Sequence, residues 1–198
     1  MIASARASET NTWQLHTGAQ CQLVIGRFPP FSYDASSGGG PVHHSPADEE
    51  GRLRLQVPLA GLTIPPLDCQ TARLLGLPLP PGISVQIQPE QLEGELEPSS
   101  GSLNLRFRSR FRFTLGPARQ PAYQASDLVV DTALTSGSIQ GQRHRRHGRP
   151  LDQDGRGQLV GVATIAPCQD AWLNAFLGLP DEALAVMEIQ LLGHDAGS

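Results

Sequence analysis

The sequence contains no lysine, so all fifteen of its basic residues are arginine. This absence excludes mechanisms that need a lysine amine, such as a Schiff base, a lysine nucleophile or the lysine of a phosphate-binding loop. Cysteine is nearly as scarce. Cys21, Cys69 and Cys168 are far apart and odd in number. They match neither a metal-binding pair nor a disulfide framework, and we expect free thiols that pack in the fold.

The motifs of common enzyme classes are also missing. There is no GxSxG, HExxH, Walker, EF-hand or CxxC sequence. The histidine pair at 43–44 has no second cluster to complete a metal site, so no metal or cofactor is expected. His144 and His147 precede Asp152 and Asp154, a set from which a hydrolase or isomerase could take a general base and its orienting carboxylate. The arginines around these histidines favour an exposed basic turn instead.

No long hydrophobic run is present. None approaches the ~18 apolar residues that a membrane-spanning helix needs, and the first twenty residues lack the pattern of a signal peptide. A hydrophobic content of 39% with 17% charged residues is typical of a globular protein, and 21 Gly and 17 Pro predict many turns. We expect a cytoplasmic protein with one β-rich domain over 12–192 between short tails, 1–11 and 193–198.

One tetrapeptide, Leu-Gly-Leu-Pro, occurs twice, at 75–78 and at 177–180. A Thr-Ile pair precedes each copy, and an apolar alternation ending in Ile-Gln follows each. The matched surroundings favour an internal duplication. They predict two similar units at about 53–88 and 159–190.

A short helix is predicted in front of each tetrapeptide, over 67–75 and over 169–177. Apolar residues there recur at spacings of three, four and seven, as on one helical face. Gly76 and Gly178 then stand where a helix C-terminus favours the left-handed conformation, and the proline that follows blocks a new turn. The tetrapeptide is therefore interpreted as a helix stop without reactive chemistry.

The clearest strand pattern lies over 103–115. A turn at 98–101 would set Glu93 opposite Arg106, with apolar pairs on the other face. Its two faces carry Leu103, Leu105, Phe107, Phe111, Phe113 and Leu115 on one side and Arg106, Arg108, Arg110 and Arg112 on the other. Arg110 and Arg112 lie beyond the reach of Glu93, so we expect these two arginines to be free for a partner.

Three further segments complete the predicted architecture. Residues 13–28 are predicted as a hairpin beside 186–192, residues 128–135 as a strand, and residues 36–51 as a mobile Gly-rich loop. Pairing of the N-terminal segment with the last strand would close the sheet. The predicted fold is mainly β, an antiparallel barrel or strongly bent sandwich built from two similar halves, with two short helices.

Charge is divided unevenly along the chain. Residues 104–149 hold nine arginines against two aspartates, a net charge of +7. Because the whole chain has a net charge of −4, the remaining residues carry −11. The candidate anion-binding residues are Arg110, Arg112, Arg143, His144, Arg145, Arg146, His147 and Arg149. Arginine forks suit carboxylates and phosphates. The leading hypothesis is a non-enzymatic binding, assembly or accessory module that presents these arginines to an acidic protein partner. An anionic membrane surface or nucleic acid is less favoured, because the whole chain is acidic.

The alternative hypothesis is a barrel that binds a small apolar ligand, as lipocalin-like folds do. The candidate lining residues are Trp13, Phe111, Phe113 and Trp172. This hypothesis rests on fold analogy. An internal cavity of several hundred cubic ångströms would support it, on the order of an ordinary ligand pocket, whereas a solid core would argue against it.

Overall fold

The fold is mainly β, as the sequence predicts. A computed structural model describes residues 11–193, so the predicted tails lie almost entirely outside the described residues. The elements are β1 (Asn11–Thr17), β2 (Cys21–Ile25), β3 (Phe31–Tyr33), β4 (Gly39–His44), β5 (Leu53–Gln56), a 3-10 turn (Leu59–Gly61), β6 (Ala72–Leu74), β7 (Leu77–Pro78), β8 (Ile83–Glu97), β9 (Ser102–Leu115), β10 (Tyr123–Gln124), β11 (Leu128–Thr135), β12 (Ser138–Gln140), β13 (Arg145–His147), β14 (Arg156–Ile165), α1 (Ala171–Leu177) and β15 (Asp181–Gly193). The described part of the chain has one α-helix, not the two predicted.

The strands form one large antiparallel sheet whose hydrogen bonds close into a ring. The order around the ring is β1, β4, β5, β8, β9, β11, β14 and β15, and β15 pairs back to β1. Each ring strand therefore has a neighbour on both sides. Closure of this kind removes the unpaired edges that an open sheet would leave exposed.

β1 and β2 are two halves of one bulged strand, so the hairpin predicted over 13–28 is wrong. Both halves run antiparallel to β15, with Thr17 opposite Ile189 and Gln22 opposite Val186. The residues between them form a bulge, and the chain continues in the same direction. The position of the N-terminal segment was predicted correctly, because it does pair with the last strand.

Beyond the bulge the sheet branches. β1 has β4 as its second neighbour, whereas β2 has β3, which is followed by β6 and β7. We call β3, β6 and β7 the flap. Leu67, just before the flap strand β6, bridges to Val85 of β8. The branch thus leaves the ring at one strand and contacts it again at another, which encloses an interior space.

The β8–β9 hairpin has the predicted register. Leu96 lies opposite Leu103 and Glu93 opposite Arg106. Apolar side chains of both strands face inward, and the arginines face outward. Strict alternation and a short turn carry enough local information to fix this pairing.

The first Leu-Gly-Leu-Pro copy is a β-turn, so the helix predicted over 67–75 is wrong. Leu74 pairs with Leu77 across the turn, and both Leu75 (φ 52°) and Gly76 (φ 81°) are left-handed. The segment before it extends because β6 pairs with β3, and this tertiary pairing overrides the leucine spacing.

The second copy does end a helix, as predicted. The Asp170 side chain caps α1 by accepting a hydrogen bond from the Leu173 N–H at 2.8 Å, and Gly178 ends it with φ 70°. No helix within residues 11–193 is long and apolar enough to cross a bilayer. Since the two tetrapeptides occupy a strand turn and a helix end, the expectation of two similar halves is not supported.

The segment predicted as a mobile loop over 36–51 contains β4, which pairs with both β1 and β5. Its glycines allow close approach of neighbouring backbone. A Cβ added to Gly39 would lie 2.0 Å from the carbonyl oxygen of Leu15. The Gly-rich composition therefore reflects tight packing of a strand, which periodicity alone does not reveal.

Candidate ligand cavity

A cavity of about 440 Å³ lies inside the molecule, between the ring and the flap. Side chains from the inner faces of β1, β2, β3, β8, β9, β11, β14 and β15 form its wall, together with α1. None of the described side chains on the wall is charged. The volume falls within the range of roughly 300–1,000 Å³ that small-molecule sites occupy.

A block of small residues on β14 and β15 creates this space. Gly161 pairs with Ala185, and Ala163 pairs with Ala183, all four on the cavity wall. Protein interiors are normally filled at crystal-like density. Because the side chains at these four adjacent inward positions are a hydrogen atom or a methyl group, they leave a volume that the facing side chains do not fill.

The hydroxyl groups on the wall are mostly engaged elsewhere. Tyr33 donates to the carbonyl oxygen of Pro65, Thr17 donates to that of Ala35, and the Thr132 hydroxyl lies 2.8 Å from its acceptor, a backbone carbonyl of β14. Burial raises the pKa of Tyr33 well above its usual value, so its hydroxyl stays neutral. These three hydroxyls therefore give an incoming molecule little to bond with.

The cavity reaches the surface at one end of the ring, where β8 and β15 begin and where β9 and β14 end. We call this the mouth end. Phe176 of α1 and Phe28, in the turn between β2 and β3, line the cavity there, with ring centroids 5.3 Å apart. The opposite end is filled by core residues that do not line the cavity, including Leu53, Leu96 and Leu103.

Two of the four aromatic residues predicted as lining, Phe111 and Phe113, are on the wall. Trp13 and Trp172 are not. Trp13 packs against His44 at the far end of the ring, with ring centroids 4.1 Å apart and the ring planes tilted by 36°. Trp172 is half-exposed at the edge of the cavity, where its ring packs against the wall residues Phe113 and Phe176, with ring centroids 5.9 and 5.0 Å away.

The arginines of β9 are ion-paired, so the expectation that Arg110 and Arg112 would be free is wrong. Arg112 contacts Asp127 through two nitrogens, at 2.9 and 3.1 Å. Arg110 shares Glu90 with Arg108.

A bulge next to Pro89 explains the second pairing. It shifts the register of β8 and brings the carboxylate of Glu90 between the two arginines. Hydrogen bonds from Arg108 and then Arg110 lower the pKa of Glu90. The sequence pattern contains no sign of this bulge apart from the proline itself.

The Arg-rich hairpin, residues 138–149, consists of β12, β13, the turn between them and the two residues that follow. Arg143 forms an ion pair with Asp181. Within the described residues, Arg145, Arg146 and Arg149 have no carboxylate within 4 Å. Three of the predicted anion-binding arginines are thus exposed and unpaired.

A buried carboxylate fixes the turn of this hairpin. Glu182 is 6% exposed and accepts hydrogen bonds from the backbone N–H groups of Gln142, Arg143 and His144, at 2.6, 3.1 and 2.8 Å. Burial raises the pKa of Glu182, but the three donors outweigh it, and the pKa lies below its ordinary value of 4.5. The hairpin is therefore presented in one fixed orientation.

The histidine and aspartate residues of the third hypothesis do not converge. His147 contacts the Ser138 hydroxyl at 2.6 Å on an exposed strand pair. Neither Asp152 nor Asp154 bonds to either predicted histidine; Asp152 accepts instead from backbone N–H groups of its own turn. Among residues 11–193 no group of three His, Cys, Asp or Glu side chains could hold a metal ion.

All three cysteines are free thiols, as expected. Cys21 is buried beside the bulge between β1 and β2, and burial raises its pKa to about 11. Such a thiol stays protonated near neutral pH and is a poor nucleophile. Cys69 and Cys168 are partly exposed.

Comparison with protein-family models, curated proteins and solved structures finds no match to this chain. The chemistry of the site therefore follows from its own geometry. Sequence reasoning missed Glu182 and the block of small residues. A signal for the block was present, since glycine or alanine recurs with period two at 161 and 163 and again at 183 and 185.

Proposed function

We propose that the protein binds a small apolar ligand inside the ring of strands. In this proposal the ring is a barrel-like container and the mouth end is its entrance. The observation that supports the proposal is the cavity of about 440 Å³, on whose wall the described part of the chain places no charged side chain. The alternative hypothesis from the sequence thus becomes the leading one.

An empty cavity of this size lowers the stability of the fold, so a purely structural explanation is unfavourable. Residual cavities in protein cores cost roughly 24 cal/mol per Å³. For about 440 Å³ this gives an upper limit of roughly 10 kcal/mol, because the cavity is open at the mouth end. The net stability of a whole domain is only about 5–15 kcal/mol. A bound apolar molecule would remove most of that cost.

Water is a poor occupant of this space. A buried water needs about two to four polar partners. The wall offers few, because the hydroxyls of Tyr33, Thr17 and Thr132 are bonded to backbone carbonyls. Burying an unpaired charge costs several kcal/mol or more. A neutral ligand, or one whose polar group stays at the mouth end, therefore fits best.

Titration with N-phenyl-1-naphthylamine, a neutral fluorophore that brightens in apolar surroundings, tests this proposal. We expect saturable binding of one probe per chain with micromolar or tighter affinity, and displacement by 1-dodecanol. Since no charged residue among 11–193 lines the cavity, affinity should be the same at about 50 and about 500 mM NaCl. Absence of saturable binding, or binding that salt abolishes, would contradict the proposal.

A second candidate function keeps the Arg-rich hairpin as a docking site for an acidic protein partner. The specific observation in its favour is that Arg145, Arg146 and Arg149 are unpaired within the described residues, while Glu182 fixes the turn beside them. Rigid, exposed guanidinium groups steer anionic partners and bind their carboxylates.

Replacing Arg145, Arg146 and Arg149 together with serine tests this candidate. Binding to poly-glutamate at low salt should fall at least tenfold, because the unpaired charges are lost. The matched control replaces Arg106, Arg108 and Arg110 with serine, which removes the same charge from arginines that already have partners. Equal losses in the two triple variants would indicate non-specific attraction only. Stronger binding of the wild type to duplex DNA than to poly-glutamate would replace the protein partner with nucleic acid.

A further inference from the structure

The mouth end is surrounded by exposed apolar side chains. Leu75 is 77% exposed, Leu77 70%, Trp172 47% and Phe176 44%. The two leucines belong to the flap turn that follows Leu74, which pairs with the first residue of β3. The two aromatic rings belong to α1, which contacts the β2–β3 turn. Four of the seven large hydrophobic residues that are exposed in the described chain therefore lie around one opening.

Leu75 is unfavourable for folding at its position. Its φ of 52° is left-handed, a conformation that costs a residue with a side chain roughly 1–2 kcal/mol and that tight hairpin turns give to Asn, Asp or Gly. Its side chain contributes little packing in return, since 77% of it is exposed. Local rules are commonly broken where a residue serves function. A contact with a surface outside the chain would account for a leucine at this position.

Positive charge accompanies this apolar surface. Arg27 precedes Phe28 in the β2–β3 turn, Arg73 precedes Leu74, and Arg119 lies in the loop after β9. Within the described residues none of these arginines has a carboxylate within 4 Å.

The carboxylates nearest the mouth end are engaged. Asp127 pairs with Arg112, Asp181 pairs with Arg143, and Asp170 accepts from the Tyr123 hydroxyl. Asp170 keeps its negative charge, but among the described residues named for this end the arginines still outnumber the carboxylates, so the excess charge is positive.

We propose that the mouth end docks on an anionic lipid bilayer. Leucine and tryptophan enter the interfacial region, and arginines bind the phosphates around them. An acidic protein would satisfy the arginines but would leave Leu75 and Leu77 in contact with polar groups. The inference rests on the proposed function in one respect. An apolar ligand partitions into bilayers, so docking would place the cavity entrance against the membrane that holds the ligand.

Vesicle flotation tests the docking. Full-length protein should float with phosphatidylcholine vesicles that contain about a quarter phosphatidylglycerol, and weakly with pure phosphatidylcholine. The double variant Leu75→Ser/Leu77→Ser should lose at least tenfold in partition coefficient. Leu192→Ser should bind as the wild type does, because Leu192 is similarly apolar and exposed but lies at the opposite end of β15. Arg27→Ser/Arg73→Ser should lose about thirtyfold on anionic vesicles, since each arginine near such a surface contributes roughly fivefold.

Leu75→Asn gives a readout that a structural role would not produce. The turn should become more stable, raising Tm by about 2–4 °C, because asparagine tolerates the left-handed conformation. Vesicle binding should weaken at the same time. In a Trp13→Phe background, Trp172 is the only tryptophan, and its emission should shift to the blue and be quenched by brominated lipids on docking.

The outcomes separate the two proposals. If wild type fails to float with anionic vesicles, or if the leucine double variant floats equally well, docking is wrong. Binding of N-phenyl-1-naphthylamine without vesicles should be unchanged in all these variants. If the wild type floats with anionic vesicles but does not bind N-phenyl-1-naphthylamine, the ligand proposal is wrong and the docking proposal stands.

Discussion

Replacing Ala185 with phenylalanine is expected to abolish binding of a neutral apolar probe and to leave the fold at least as stable. Ala185 lies on the cavity wall, opposite Gly161 of the neighbouring strand. A phenyl ring at this position enters the space that the small residues create. Cavity filling commonly adds about 1 kcal/mol to the free energy of unfolding. The same substitution in a solid core would cost about 1–3 kcal/mol through overpacking.

The control places the same ring on the other side of the sheet. Ala133 is exposed on the outer face of β11, between the cavity-lining residues Thr132 and Leu134. Ala133→Phe should therefore bind the probe as the wild type does. Titration of N-phenyl-1-naphthylamine and urea unfolding of the three proteins give both quantities.

Two results would contradict the expectation. Unchanged probe affinity in Ala185→Phe would place the probe elsewhere on the protein. A loss of stability without a loss of binding would mean that the interior around Ala185 is already filled. Either result would remove the support that the cavity gives to ligand binding.

The parts of the fold that the sequence predicts are those that local pattern determines. The β8–β9 register follows from alternation and a short turn, which pair Leu96 with Leu103. Helix α1 has a capping aspartate before it and a glycine after it. In each case neighbours within about thirty positions in the sequence carry the information.

The parts that were wrong depend on contacts between distant segments. Residues 18–20 look like a hairpin turn, but β15 offers one continuous edge to both flanking strands, and the chain bulges instead of reversing. The leucines of 67–75 have helical spacing, but pairing of β6 with β3 extends the segment. A propensity worth tenths of a kcal/mol per residue does not compete with a ladder of hydrogen bonds and side-chain packing.

The candidate site was only partly predictable for the same reason. Alternation correctly turns Phe111 and Phe113 inward, so two wall residues can be identified from sequence. The cavity itself exists because Gly161 meets Ala185 across two strands, and that register is not visible before β14 and β15 are paired. Glu182 was hidden as well, since a single acid next to a strand start gives no sign that backbone donors 38–40 positions away converge on it.

Replacing Glu182 with alanine is expected to loosen the Arg-rich hairpin and to lower the free energy of unfolding by about 2–4 kcal/mol. Its carboxylate is buried and accepts from three backbone N–H groups in the turn 141–144. A hydrogen bond to a charged group contributes roughly 1.5–3 kcal/mol, and donors left without a partner cost further. Glu188→Ala is the matched control, because Glu188 is on the same strand and its side chain forms no ion pair within residues 11–193.

The stabilisation by Glu182 should depend on pH in a defined direction. Its folded pKa lies below the ordinary 4.5, because the three backbone donors outweigh the effect of burial. A depressed carboxyl pKa stabilises the fold fully above the ordinary value, and the contribution disappears as the pH falls through the folded pKa. The difference in unfolding free energy between wild type and Glu182→Ala should therefore be constant near neutral pH and shrink below about pH 4.5.

Trypsin reports on the hairpin separately from the rest of the fold, because the absence of lysine leaves arginine as its only target. In Glu182→Ala, cleavage after Arg145 or Arg146 should be at least tenfold faster than in wild type, since a released turn opens the strand pair to the protease. Arg149 precedes proline and is a poor site, so the first cut identifies the hairpin by fragment mass. If cleavage and stability both match those of Glu188→Ala, the carboxylate does not fix the turn, and the second candidate function loses the rigidity on which its specificity depends.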